Sequence, residues 1–171
     1  MSTWLEGSVV ENRHWTEALF SLRVEGAPLA FEAGQFVRVA LDIDGERVAR
    51  AFSMVNAPAD PLLEFYGIVV PQGPLSPRLA RLRPGERLYV ASNPAGFLVV
   101  SELPAAETLW LMSTGTGIAP FISMLRAAHR GSGSATSSWS MRCATHRSSS
   151  TARTSSGLGR RTGRVSRMSQ W

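Results

Sequence analysis

Three short stretches of this sequence combine residue types that suit a planar, phosphorylated ligand. Arg50 to Ser53 joins a guanidinium fork that matches a phosphate, a phenylalanine ring on which a flat molecule can stack and a small hydroxyl. Pro74 to Leu79 has the sequence Pro-Leu-Ser-Pro-Arg-Leu, and Gly115 to Pro120 begins with Gly-Thr-Gly. Each stretch alone is common, and Arg-Ala-Phe-Ser can equally be an ordinary strand end. Their order and spacing are therefore more informative than any one of them.

The elements that must position these stretches are mostly short strands. Apolar residues nearly alternate over 4–11 and 17–24, and 12–16 is the turn expected between them. Further strands are predicted over 35–41, 47–54, 62–70 and 87–91, and Asp44-Gly45 predicts the hairpin between the first two of these. Six short strands with frequent turns predict a small antiparallel barrel that closes near Val100.

Two helices are predicted beside the second and third stretches. Ser76 is the expected N-cap of a helix that has Pro77 at its first position and runs to about Leu82, with free N–H groups that suit an anion. An apolar strand is then predicted over 108–112, followed by a glycine-rich turn and a helix over 118–128. Strand, glycine-rich turn and helix form the opening unit of a nucleotide-binding α/β domain.

Charge and composition exclude several functional classes. All 13 acidic residues lie at or before Glu107, whereas residues 131–171 hold seven arginines and no acid. Because nucleic-acid binding along a fold needs basic residues on the fold itself, nucleic acid is not an expected partner. The single cysteine gives no disulfide and no metal cluster. No apolar run reaches the length of a membrane span and no secretory signal precedes the first strand, so a cytoplasmic protein is expected.

In order and spacing the three stretches resemble the bacterial ferredoxin (flavodoxin)–NADP(+) reductases, from about Trp4 to about His129. The resemblance implies an antiparallel Greek-key β-barrel FAD domain over 2–101, followed by an incomplete nucleotide-binding α/β domain whose first βα unit is 107–130. It implies FAD as cofactor, NADP(H) as substrate and ferredoxin or flavodoxin as partner of a monomeric enzyme. The implied reaction is hydride transfer between NADPH and FAD, with single-electron exchange to the partner.

The resemblance also implies roles for the first stretch. Arg50 is expected to bind the FAD pyrophosphate and Phe52 to stack on the isoalloxazine ring. Ser53, the expected catalytic residue, lies beside the reactive nitrogen of the flavin, and Ala51 completes this cofactor-binding stretch. Tyrosine is common in the family where Phe52 stands, so the stacking face is kept and a hydroxyl is lost.

The other implied cofactor contacts come from one strand and two turns. The strand contributes Tyr66 and the backbone of Ile68 and Val69, which line the ring and the ribose. The pyrophosphate is received by Pro74, Leu75 and Ser76, although Pro74 departs from the pattern because it has no N–H. Thr116 approaches the flavin, while Gly115 and Gly117 let the nicotinamide come close.

The family pattern stops after Arg130. Residues 131–171 contain twelve serines and no hydrophobic periodicity, so they predict either a disordered basic tail or peptide translated out of frame. With suitable codons, reading two bases further along from Ser138 gives a string such as VVVHAVRH, which is typical of the family at this point. We therefore hypothesise a frameshift within 130–137 that removed the NADP domain, leaving weak FAD retention and little NADPH-dependent turnover.

Two alternatives remain open at this stage. Another flavin reductase, or the reductase component of an oxygenase, would share the barrel motif. A protein of another class, a non-enzymatic binding protein with a basic tail, predicts nucleic-acid binding that falls steeply with salt and disappears when residues 131–171 are removed.

Sequencing of the gene tests the frameshift hypothesis. We expect the DNA that encodes 138–171 to specify reductase-like sequence in the shifted frame. An intact frame, together with a homologous natural tail in another protein, would refute it.

Overall fold

The computed structural model describes residues 3–104, 106 and 109–131. Its six strands are β1 (Trp4–His14), β2 (Leu19–Glu25), β3 (Phe36–Ile43), β4 (Glu46–Ser53), β5 (Leu63–Ile68) and β6 (Arg87–Ala91). The α-helices are α1 (Ser76–Leu79) and α2 (Ala119–Gly131), and 3-10 turns cover Val100–Glu102 and Gly115–Ile118.

The strands form one antiparallel sheet in the order β4-β3-β6-β1-β2-β5. The sheet curls so that its two outer strands approach each other, and an isolated bridge joins Met54, just after β4, to Phe65 of β5. Connections between strands that are not neighbours, such as β2 to β3, are typical of a Greek key. The predicted antiparallel barrel class is confirmed.

The interior of the curled sheet is packed with large apolar side chains. Inward positions alternate along β2 and β5 in the period expected of strands with one buried face. Leu75 and Leu79, one helical turn apart, insert from α1 and are at most 1% exposed. The largest fully buried side chains include Phe20, Leu22, Met54, Phe65, Leu75, Leu79 and Leu88.

The hairpin predicted at Asp44-Gly45 is present between β3 and β4. Asp44 has φ 53° and Gly45 has φ 84°, which are the two positive values that a type I′ turn requires. Every residue of β3 from Phe36 to Ile43 is paired with β4. This hairpin fixes the register of the Arg50–Ser53 stretch.

The predicted turn over 12–16 is wrong at its start, because β1 continues to His14. Asn12 donates through Nδ2 to the carbonyl oxygens of Leu79, Ala80 and Leu82 at 3.1, 3.0 and 2.8 Å. His14 places Nε2 2.7 Å from the Ala80 oxygen, which requires the Nε2–H tautomer. These tertiary bonds hold both polar side chains within a strand, where the sequence suggested a turn, although the buried Oδ1 of Asn12 has no hydrogen-bond partner among the described residues.

The first predicted helix is shorter than expected and starts differently. α1 ends at Leu79 rather than Leu82, and its N-cap is Leu75 rather than Ser76. Ser76 does not cap the helix, because its Oγ accepts a hydrogen bond from the Val70 N–H at 2.9 Å. The carbonyls at the C-terminal end of α1 bind Asn12 instead of extending the helix.

The predicted strand over 108–112 is not formed over its described residues. Residues 109–112 lie in no strand, and the glycine-rich turn after them is a 3-10 turn that leads directly into α2. A parallel-type central strand needs neighbours on both sides, and the described part of the chain supplies none.

No described helix is both long and apolar enough to cross a membrane. The predicted tail over 131–171 lies outside the described residues, apart from Gly131 at the end of α2.

Replacing Asn12 by alanine tests the contact between β1 and α1. Asn12→Ala leaves three carbonyl oxygens without their donor, so we expect the free energy of unfolding to fall by about 1–3 kcal/mol. Urea denaturation measures this loss. Asn93→Ala, at an exposed position, serves as the matched control, and an equal effect of both substitutions would contradict the assigned role of Asn12.

Candidate functional site

The candidate site lies where the two edges of the sheet meet. Besides the bridge between Met54 and Phe65, the Val55 N–H donates to the Glu64 carbonyl at 2.8 Å. The bridge therefore brings the end of β4, where Ser53 lies, next to β5, which carries Tyr66. The structure therefore brings the first predicted stretch beside the predicted contacts on β5.

Arg50 is exposed at this edge and is available for an anion. Its Nη1 donates to the neighbouring Ala49 carbonyl at 2.7 Å, and within the described residues it forms an ion pair with no carboxylate. A guanidinium carries five N–H donors, so most of the fork remains available. Its chemistry fits a phosphate group.

Phe52 and Ser53 are both half-buried at the end of β4. The Phe52 ring meets the buried Phe65 ring edge-on, with centroids 6.3 Å apart and planes at 70°. Ala51 precedes it at an exposed position, paired with Arg38 of β3. Edge-on packing against Phe65 fixes the Phe52 ring while leaving part of it accessible to a planar ligand.

Pro74, Leu75 and Ser76 follow β5 and lead into α1. Arg78 donates to the Pro74 carbonyl at 2.7 Å, and Ser76 ties this turn to Val70. The N–H groups of Leu75 and Ser76 precede the first hydrogen bonds of α1 and therefore have no acceptor within the helix. Val69, in turn, is bonded through its N–H to Ala18 at 2.7 Å.

Tyr66 points to the same face of β5 as Glu64 and Ile68. It is half-buried, whereas Ile68 is 50% exposed. Burial raises the pKa of the Tyr66 phenol above its usual 10.0, the charge of Glu64 adds to the rise, and Arg126 opposes it. The phenol therefore stays neutral over the physiological pH range and can donate a hydrogen bond.

The 3-10 turn Gly115–Ile118 lies against β5. Gly115 has φ 53°, in the left-handed region that favours glycine. The half-buried Thr116 stands between two exposed glycines. The structure therefore brings the third predicted stretch to the same side of the barrel as the first two.

Sequence reasoning missed the residues that hold α2 on the barrel. Ser123 donates from Oγ to the Asn56 carbonyl at 2.6 Å. Arg126 donates through Nη1 to the Val55 carbonyl at 3.2 Å and forms an ion pair with Glu64 at 2.6 Å. The helical spacing of Ser123 and Arg126 could have placed them on one face, but nothing in the sequence named their acceptors more than 60 residues away.

Residues 8–98 match the protein family described as oxidoreductase FAD-binding domain. That match covers β2 to β6 completely, together with α1 and most of β1.

Curated relatives match a longer part of the chain. Flavodoxin/ferredoxin–NADP reductase of Escherichia coli (strain K12) is 53% identical over 126 residues, which are 74% of this chain and 51% of the relative. The reductase of the same name from Rhodobacter capsulatus is 44% identical over 121 residues, covering 70% of this chain and 45% of the relative. The chain spans about half the length of these relatives.

A solved structure supports the same similarity. The ferredoxin NADP+ reductase from Neisseria gonorrhoeae, whose crystal structure has bound FAD and NADP, superposes with a TM-score of 0.69. It is 29% identical, and the match covers 73% of this chain and 51% of the other.

The raised pKa of Tyr66 predicts a pH dependence of stability. Because the phenol ionises first in the unfolded chain, the free energy of unfolding should fall as the pH rises above about 10. Tyr66→Phe should make this alkaline decline shallower, and urea denaturation between about pH 9 and pH 11 measures it. The same decline in the Tyr66→Phe protein as in the wild type would contradict the assignment.

Proposed function

Because the chain belongs to the family of oxidoreductase FAD-binding domains, we propose that it is the flavin-binding part of a ferredoxin (flavodoxin)–NADP(+) reductase. The observation that supports this proposal is the approach of β4, which carries Arg50–Ser53, to β5, which carries Tyr66, at the closure of the barrel. The closure then offers a guanidinium for an anion (Arg50), an accessible aromatic ring (Phe52) and two hydroxyls (Ser53 and Tyr66). This order suits an elongated ligand that has a phosphate at one end and a flat ring at the other.

The proposed contacts with FAD follow from this placement. Phe52 packs against the isoalloxazine ring, and Tyr66, with the backbone of Ile68 and Val69, lines the ring and the ribose. Arg50 binds the diphosphate. The N–H groups of Leu75 and Ser76, which have no acceptor within α1, are proposed to donate to the same group, whereas Pro74 has no N–H to offer and its carbonyl accepts from Arg78.

FAD, when bound, supplies the redox chemistry that couples two-electron exchange with NADP(H) to one-electron exchange with ferredoxin or flavodoxin. The residues of this chain bind and orient the ring. Ser53 places a hydroxyl, both donor and acceptor, beside the ring nitrogen. Gly115 and Gly117 carry no side chain that would keep a nicotinamide from the ring, and Thr116 bounds that space.

The division of the chain is part of the proposal. Residues 2–101 form the FAD domain, 107–130 the first unit of an NADP-binding domain, and 131–171 a segment that does not continue the reductase pattern. The match covers about half of the length of the relatives, and the proposal of an incomplete NADP domain rests on the composition of residues 131–171. Weak FAD retention and little NADPH-dependent turnover follow, in a monomeric cytoplasmic protein.

Titration with FAD, followed by flavin fluorescence, tests the binding site. Arg50→Gln removes a charge-assisted contact with the diphosphate, so the free energy of FAD binding should weaken by about 1.5–3 kcal/mol. The affinity for riboflavin, which has no phosphate, should not change. Arg23→Gln, on the exposed face of β2, is the matched control. Equal losses for FAD and riboflavin would contradict the role of Arg50.

The flavin absorbance of the FAD-loaded chain, before and after anaerobic addition of NADPH, tests the proposed impairment. We expect a flavin spectrum that NADPH does not bleach on the timescale of enzymatic turnover, while dithionite bleaches it. Rapid bleaching by NADPH would show that the nicotinamide site is complete and would contradict the division proposed above.

A further inference from the structure

Helix α2 is held on the barrel by polar contacts from a single face. Ser123 and Arg126 are three residues apart, so they lie on the same side of the helix. Ser123 is fully buried, and its hydroxyl donates to the Asn56 carbonyl at 2.6 Å. Arg126 reaches both the Val55 carbonyl, at 3.2 Å, and the Glu64 carboxylate, at 2.6 Å.

The acceptors belong to both edges of the barrel closure. Val55 and Asn56 continue the chain from β4, and Glu64 lies in β5. These two edges are themselves joined there, because the Val55 N–H donates to the Glu64 carbonyl at 2.8 Å and the Glu64 N–H donates to Asn56 Oδ1 at 2.9 Å. A single helix face thus contacts both sides of the closure.

The 3-10 turn Gly115–Ile118 is continuous with α2 and lies against β5. Its position therefore depends on where α2 is held. Residues 109–112, which precede the turn, lie in no strand. Within the described part of the chain, the turn is therefore not anchored by a preceding strand. The contacts of α2 with the barrel, among them these polar ones, therefore help to fix the turn.

We propose that Ser123 and Arg126, with Glu64, are positioning residues that hold the Gly115–Gly117 turn over the flavin ring. The flavin part of this inference rests on the function proposed above, whereas the docking of α2 does not. Met124, 5% exposed, adds apolar contact but no direction, because hydrophobic burial is non-directional. The ion pair and the hydroxyl bond supply the direction.

The ion pair between Arg126 and Glu64 is partly buried, so breaking it is costly. Only 17% of the Glu64 side chain is exposed, against 41% of Arg126. Removing the cation from a largely buried carboxylate is costly, because the carboxylate then lacks its counter-charge. A like charge at position 126 repels Glu64, whereas exchanging the two residues restores the attraction.

The test compares Arg126→Glu, Glu64→Arg and the exchanged double variant, each loaded with FAD. Iodide quenching of the flavin reports how well the turn covers the ring. We expect either single variant to raise the quenching constant by about fivefold or more, and the double variant to return it to within about twofold of wild type. Arg23→Glu reverses a charge in the exposed pair with Glu11, 48% and 47% exposed, and should behave as wild type.

Hydrogen exchange of the amides of residues 115–129 gives a readout that needs no flavin. Arg126→Glu should accelerate their exchange relative to those of β1 and β6, which a general loss of stability would accelerate alike. If wild type binds no FAD, the proposed function is refuted, and hydrogen exchange still decides the docking.

Ser123→Ala is the milder variant, since it removes one hydrogen bond and no charge. It should shift iodide quenching and local hydrogen exchange in the same direction as Arg126→Glu but by less. If a charge-reversal variant does not fold, the inference can still be tested with Ser123→Ala. Unchanged quenching and unchanged exchange in the Ser123→Ala and Arg126→Glu proteins would overturn the inference, as would a double variant no better than the singles.

Discussion

The closure of the sheet between β4 and β5 is the constraint on which the rest of the structure depends. A curled antiparallel sheet has two edges, and each edge strand has backbone groups that lack a neighbouring strand. Here the edges meet through the Met54–Phe65 bridge and the bond from Val55 to Glu64. Met54 and Phe65 are almost completely buried, so the core pulls the two edges together at this one place.

Beyond the bridge the same two strands are not paired along β4, and this is where the candidate site lies. Residues that β3 fixes in register, from Arg50 to Ser53, then face β5 across an unpaired edge. Strand edges usually need protection. In this protein the edge carries the exposed Arg50 and the half-buried side chains of Phe52, Ser53 and Tyr66. These side chains suit a flat anionic ligand, which would cover the edge in place of a seventh strand.

Local sequence was sufficient for much of this architecture. Neighbouring residues alone were enough to predict the Asp44-Gly45 turn, the alternation along the strands and the Arg-Ala-Phe-Ser stretch. The resemblance to ferredoxin (flavodoxin)–NADP reductases is confirmed by the relatives. What failed depended on distant partners. Asn12 looked like a turn residue because its three acceptors lie in α1 and just after it. Residues 109–112 looked like a strand because local pattern cannot show whether neighbouring strands exist. The contact of Arg126 with Glu64 joins residues 62 positions apart.

A crystal structure of this chain with FAD tests the proposed site most directly. We expect density for the isoalloxazine ring along the edge between β4 and β5, in contact with Phe52, Ser53 and Tyr66, and for the diphosphate beside Arg50. Flavin bound elsewhere would contradict it. One such place is the largely apolar groove between α2 and residues 30–33, lined by Phe31 and Leu125.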